Sequence, residues 1–245
     1  MRVSLEDSIN ALIGAQEVPI SNNLPVDSPF TTRLQLVHDT SKVRKEWKAE
    51  NGPKPEAGDF LVGPPGAKLI GREFDALSIF WRDHALQTRG DEVTLESFDC
   101  PPRGMPPKTS DQEVFRRIEE MKRSGDKKFQ SRIGKDLMLW IPAEQKIVVY
   151  FLANTAAREA GNACIFNKET KTYKFGFHVH FKSRETPPSS NGYQWWLPEI
   201  EIIGLPTAEM LPPTEVLKDE FQKFIQPTPK GAGRVDNSGV DGRPR

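Results

Sequence analysis

Apolar residues in this chain recur mainly at every second position, the spacing of a strand that buries one face. The clearest case is Thr172 to Lys182, where Tyr173, Phe175, Phe177, Val179 and Phe181 alternate with Lys174, Gly176, His178, His180 and Lys182. The pattern predicts a single strand with rings on its buried face and basic and imidazole groups on the other. Upstream, Leu137 to Ile141 and Ile147 to Leu152 are β-branched and aromatic runs joined by Pro142-Ala143-Glu144-Gln145, which reads as a hairpin. Further strands are expected over Thr31 to Val37, on both sides of Gly63-Pro64-Pro65-Gly66, over Phe74 to Trp81 and over Glu92 to Phe98. A last strand begins at Tyr193-Gln194-Trp195-Trp196-Leu197 and resumes past Pro198 as Glu199 to Ile203. Alternation there sends Trp195 and Trp196 to opposite sides.

Helical spacing is rarer. It occurs over Ser4 to Ile13, in a more helical interval over Ala153 to Ala160, and after the capping box Ser110-Asp111-Gln112-Glu113, where Val114, Phe115, Ile118 and Met121 share a face before a stop at Gly125. The segment from His38 to Ala57 reads as a loop with room for one helical turn. Thr214 caps a final amphipathic helix whose apolar set is Val216, Leu217, Phe221, Phe224 and Ile225. About eight strands, sequential hairpins and two or three helices predict a β-rich α+β protein. The expected form is an antiparallel sheet closed or partly closed into a barrel of the oligonucleotide-binding (OB) type, with peripheral helices; a β-sandwich is the alternative. The organisation is then an N-terminal arm (1–30), one β-rich domain (31–225) carrying a Pro-rich linker (101–109) and an inserted helix (110–124), and a disordered tail (226–245) with little to bury.

Charge changes this picture locally. The 245 residues hold 34 basic and 34 acidic side chains, so the whole chain has no net field to draw a polyanion. Yet Lys127 to Arg184 carries eleven Lys or Arg against four Asp or Glu, while Glu199 to Glu220 carries one Lys against six acids. A local excess of that size can attract phosphates. No apolar run approaches the roughly 20 residues of a membrane span, and the N-terminus shows no basic-then-apolar signal, so a cytoplasmic location without a membrane partner is expected. Two cysteines, Cys100 and Cys164, read as ordinary reduced thiols.

Three motifs invite catalytic readings, and none assembles into an enzyme. Gly63-Pro64-Pro65-Gly66-Ala67-Lys68 lacks the spacing, the following Ser or Thr and the helix of a phosphate-binding loop. Asp83 and His84 are adjacent on a strand, face opposite ways and have no activated Ser or Cys nearby, so they read as structural. Asp136 with Glu144-Gln145-Lys146 matches the carboxylate and lysine elements of a magnesium-dependent nuclease, but Glu144 falls in a hairpin turn where polar residues are ordinary. His178-Val179-His180 has the i, i+2 spacing of two imidazoles on one strand face; with only Cys164 and Cys100 as soft partners, no metal or cofactor is assigned.

What remains is a surface. A single-strand binder needs cations for phosphates and rings for bases, each stacked base worth roughly 1–3 kcal/mol. The residues that fit are Lys127, Lys128, Arg132, Lys135, Lys168, Lys171, Tyr173, Lys174, His178, His180, Lys182, Arg184, Trp195 and Trp196. The strand pair FLVGPPGAKLIG, the strand FDALSIFW, the Pro-rich linker and the paired strands LMLWIP and IVVYFLA follow in an order that resembles single-stranded-DNA-binding proteins encoded by bacteriophages, over about Asp59 to Ile203. The resemblance implies an OB fold and binding of single-stranded DNA in phage-type replication or recombination, as a homo-oligomer or with replication proteins. It departs at the end, where the tail GRVDNSGVDGRPR is mixed in charge and not acidic. The alternative is a viral structural or assembly protein acting through protein contacts.

Overall fold

The structure is a computed structural model, which describes residues 32–39, 41–47, 52–63, 68–89, 92–99, 120–121, 123–124, 130–157, 159, 165–167, 172–174, 176–187 and 195–225, with 42, 92–99, 165–167, 172–174 and 222–225 as backbone. The arm, the linker, most of the inserted helix and the tail expected from sequence lie outside them; residues 120, 121, 123 and 124 are helical.

In chain order the strands are β1 (Arg33–Leu36), β2 (Phe60–Gly63), β3 (Lys68–Gly71), β4 (Glu73–Arg89), β5 (Glu92–Asp99), β6 (Gln130–Ile141), β7 (Lys146–Ala153), β8 (Ile165–Asn167), β9 (Thr172–Lys174), β10 (Phe177–Glu185) and β11 (Trp196–Gly204). Nine of them form one curled sheet in the order β11-β10-β4-β6-β7-β1-β2-β3, with β5 on β4, while β8 and β9 pair with each other apart from it. All ladders of this sheet are antiparallel except β1 on β7. The protein is thus β-rich around a curled sheet, as expected. Besides residues 120, 121, 123 and 124, the α-helices among the described residues include a turn α1 (Lys42–Lys45) in the expected loop, and α2 (Thr214–Ile225).

The 17-residue β4 is the spine. Its first half pairs with β10 and its second with β5 on the same side, and β6 runs along the other side. Only Arg72 separates β3 from β4, so the last strand of the path is continuous in chain with the middle one. The Ser183 amide donates to the Arg72 carbonyl at 2.9 Å and holds that bend.

A register shift between Ser78 and Phe80 lets β4 feed two cores. Phe74, Ala76 and Trp81 join Phe60, Leu137, Leu139, Tyr150, Val179 and Phe181 inside the curl, where Phe74 and Phe181 stack at 4.8 Å between ring centroids. Leu77, Ile79 and Phe80 join Met138, Trp140, Ile147 and Val149 on the outside, beneath Leu217 and Phe221 of α2. The Phe80 and Phe221 rings meet edge to face at 5.2 Å. The expected helix is present, but Val216 is 37% exposed and does not belong to its buried face.

Three boundaries differ from the sequence reading. Phe74 to Trp81 is not a whole strand: β4 continues to Arg89, because Arg82, His84 and Gln87 are buried polar residues within the ladder. The run Thr172 to Lys182 is two strands, broken at Gly176, whose φ of 81° only glycine adopts readily and whose amide donates to Ser78 O at 2.8 Å. Alternation survives in β10, with Val179 and Phe181 buried, His178 and His180 half-buried, and Lys182 exposed. β11 passes through Pro198 without interruption. Pro198 lies opposite Ser183, whose amide is already directed to Arg72, so the proline nitrogen faces the open edge of the sheet and no ladder bond is lost.

Among the described residues, no helix is long and apolar enough to cross a membrane.

Candidate nucleic-acid interface

The structure separates the expected surface residues into two regions, and one is electrically cancelled. On the outer face of β4, β10 and β11 the register sets Glu73, Lys182 and Glu199 in one row and Asp75, His180 and Glu201 in the next. Arg184 is ion-paired to Glu199, His180 Nδ1 lies 2.8 Å from Asp75 Oδ1, and His178 Nε2 lies 3.6 Å from the same oxygen. The basic strand is flanked on both sides by acids, so its field is neutralised at the distance of a neighbouring strand. This is the correction to the sequence reading for His178, His180, Lys182 and Arg184: they occupy a balanced charge lattice and no open basic stripe. The acid-rich stretch that begins at Glu199 is the partner of the base-rich one.

Lys135 is removed as well. Its Nζ lies 2.6 Å from Asp83 Oδ1 and 3.7 Å from the centroid of the Trp81 ring, half-buried on the face that carries Trp81. Lys127, Lys128, Lys168 and Lys171 lie outside the described residues, and Tyr173 and Lys174 are described as the backbone of β9.

The remaining three, Arg132, Trp195 and Trp196, come together. They line an open groove of about 820 Å³ between β1, the end of β7 and the start of β11, with Arg33, Gln35, His38, Phe151, Asn154 and Thr155. Arg33 and His38 are functional candidates that sequence reasoning missed. Arg33 begins a four-residue strand remote in sequence from the basic region, and only the parallel pairing of β1 with β7 places it there.

Each aromatic side chain is held by a different device. The Thr186 hydroxyl accepts from the Trp195 amide at 3.2 Å, and the Thr186 amide donates to Trp195 O at 2.8 Å. The backbone of Trp195 is therefore fixed while its indole is 39% exposed. Trp196 turns the other way, as alternation predicts: its ring covers Gly58, where a Cβ would stand 2.6 Å from Cε3, and the Arg72 guanidinium lies 4.8 Å above it. The Trp196 amide donates to His38 Nδ1 at 3.4 Å, which requires that nitrogen to be unprotonated. Burial lowers the His38 pKa below its ordinary value against an opposing pull from Asp39, in agreement with that role.

Two acids also line the groove, and both are matched. Asp39 is ion-paired with Arg44. Asp136 takes Arg82 at 3.0 Å and His84 Nδ1 at 2.9 Å, all three side chains being at least nine-tenths buried. Burial acts to raise the Asp136 pKa, but the charges of His84, Arg82 and Arg33 and the His84 hydrogen bond outweigh it and hold the carboxyl well below the usual range. Arg33 and Arg132 line the groove beside the exposed Trp195, and the charge of Arg33 reaches Asp136. The arrangement can bind an anion with an attached flat ring.

The nuclease constellation is not assembled. Asp136 is engaged by Arg82 and His84, while Glu144 leaves it for Lys68, 2.5 Å away. Asp83 and His84, expected to be structural, are so in opposite directions: His84 bonds Asp136 and packs 4.2 Å from the Phe151 ring, and Asp83 bonds Lys135. Comparison with protein-family models, characterised proteins and solved structures finds no match to this chain.

Proposed function

We propose that this protein binds single-stranded DNA with little sequence preference, and that the strand lies in the groove between β1, β7 and β11. The observation that carries the reading is the meeting of Arg33, Arg132 and the exposed Trp195 in one open groove. Guanidinium groups meet phosphates and an exposed indole stacks a base irrespective of its identity. We propose further that the curled sheet is a barrel of the OB type, a reading supported by the direct run of β3 through Arg72 into β4.

Fluorescence anisotropy of labelled oligo-dT at two salt concentrations tests this. Binding is expected at low salt, weaker at high salt because bound phosphates release counterions, and reduced in Trp195→Ala by roughly 1–3 kcal/mol. Absence of a low-salt complex, or wild-type affinity in Trp195→Ala, overturns the proposal. An oligo-rU arm reports whether DNA is preferred to RNA.

A second reading, assembly through protein contacts, has its own observation: Ile202, Ile203 and Leu205 are exposed at and just beyond the end of the edge strand β11. It expects a stable oligomer by light scattering, unchanged by oligonucleotide.

A further inference from the structure

His38 links the groove to the tryptophan pair at the start of β11. It follows β1 in the chain and lines the groove together with Arg33, Arg132 and Asp136. Its Nδ1 accepts from the Trp196 amide at 3.4 Å, while the Thr186 hydroxyl accepts from the amide of the neighbouring Trp195. The His38 amide donates to Ser41 Oγ at 2.7 Å, so its backbone is tied down and the ring is the part that can respond.

The contact with Trp196 fixes the protonation state. A neutral imidazole that accepts at Nδ1 carries its hydrogen on Nε2. A second proton would set an N–H at Nδ1 against the N–H of Trp196, two donors with no acceptor between them. The ring must then turn from Trp196, and the imidazolium has two N–H groups to offer an anion. Without an anion this exchange is unfavourable, in keeping with the lowered pKa of His38. A phosphate in the groove supplies both an acceptor and an opposite charge.

The acids near His38 are already matched. Asp39, the next residue in the chain, pulls the His38 pKa upward, but it is ion-paired with Arg44 of α1. The segment ahead of β2 is hydrogen-bonded to Val37 through Gly58 and Asp59, and its Glu56 and Asp59 are both engaged by Arg72, which also lies over the Trp196 ring. β6 brings Arg132 and Asp136 to the groove, the latter taken by Arg82 and His84, and β1 brings Arg33. β11 brings the Trp196 amide and, farther along, Glu199, which is paired with Arg184. A ligand phosphate would be the new counter-ion.

We propose that binding of a phosphate-bearing strand in the groove is coupled to uptake of one proton by His38, which exchanges its bond to Trp196 for one to a phosphate oxygen. The inference rests on the single-strand reading of the groove and adds its regulation: the strand is held more tightly as the pH falls. Coupling is reciprocal, so a bound strand raises the His38 pKa as protonation raises the affinity. A single proton limits the gain to about tenfold per pH unit.

Anisotropy of labelled oligo-dT with the full chain, at about pH 7.5 and about pH 5.5 and one ionic strength, tests the coupling. Neither thymine nor a phosphodiester titrates in that range, so a change in affinity reports on the protein. The wild type is expected to bind severalfold more tightly at the lower pH. His38→Gln, whose amide can still accept from Trp196, is expected to lose that dependence, and His180→Gln, on the outer face of β10, to keep it. NMR of histidine-labelled wild type with and without saturating oligo-dT is expected to show the His38 pKa rising on binding. Equal wild-type affinity at the two pH values, a pH dependence that survives in His38→Gln, or a His38 pKa unmoved by the strand overturns the coupling and leaves the single-strand reading intact. Absence of binding at both pH values overturns both. Circular dichroism at each pH verifies folding, and the NMR measurement on the wild type decides the matter if His38→Gln does not fold.

Discussion

Asp136 of β6 and Arg82 of β4 face each other across an antiparallel ladder, with Arg82 Nε 3.0 Å from Asp136 Oδ2 and both side chains buried. Removing one member of such a pair leaves a charge in a medium that cannot solvate it. Asp136→Asn is therefore expected to lower stability by about 3–5 kcal/mol, measured by urea unfolding. Asn keeps the shape, so an unchanged midpoint would mean that the carboxylate charge contributes nothing.

The same carboxylate sets an acid limit. Its folded-state pKa lies below the value it has in an unfolded chain, so the stability it confers is complete above about pH 4 and is lost as the pH falls below that. His38 adds a second, milder window. Its folded pKa is also lowered, so protonation opposes the folded form as the pH falls below about 6.5. Urea midpoints from pH 7.5 to 3 should decline in two stages, and His38→Gln should remove the upper one.

Gly58 is required twice, by a φ of 94° and by the indole of Trp196 against its Cα. Gly58→Ala is expected to cost about 1–3 kcal/mol and to shift the tryptophan emission, because the ring must move. A silent substitution would mean that the ring is not held there.

The two charged regions make opposite predictions. Single strands lose about 0.7 in the slope of log affinity against log salt for each phosphate contact removed. Arg33→Ala and Arg132→Ala should each reduce the oligo-dT slope by about that amount. Lys182→Ala, in the balanced row between Glu73 and Glu199, should leave it unchanged. The reverse result would return the interface to β10.

Leu217 is 2% exposed in the outer core under α2. Leu217→Ala is expected to cost about 2–5 kcal/mol, read by thermal or urea unfolding, whereas Val216→Ala should be nearly neutral.

The sequence by itself determined the hairpin of β6 and β7, the alternation within β10, the opposite facing of Trp195 and Trp196, and the existence of α2. Each depends on a periodicity of 2 or 3.6 residues, which is local and survives in any tertiary setting. Where strands end was less legible. Arg82 and His84 look like a strand terminus until Asp136, 54 and 52 residues away, arrives to neutralise them. Only the tertiary structure decided which strands are neighbours, and with that the fate of the charges. The basic excess of β10 cancels because β11 and the start of β4 bring acids to both its sides, while Arg33 gains importance because β1 lies parallel on β7. Electrostatic interactions act through space over a few ångströms, so a charge pattern along the chain has no fixed meaning until the pairing of strands is known.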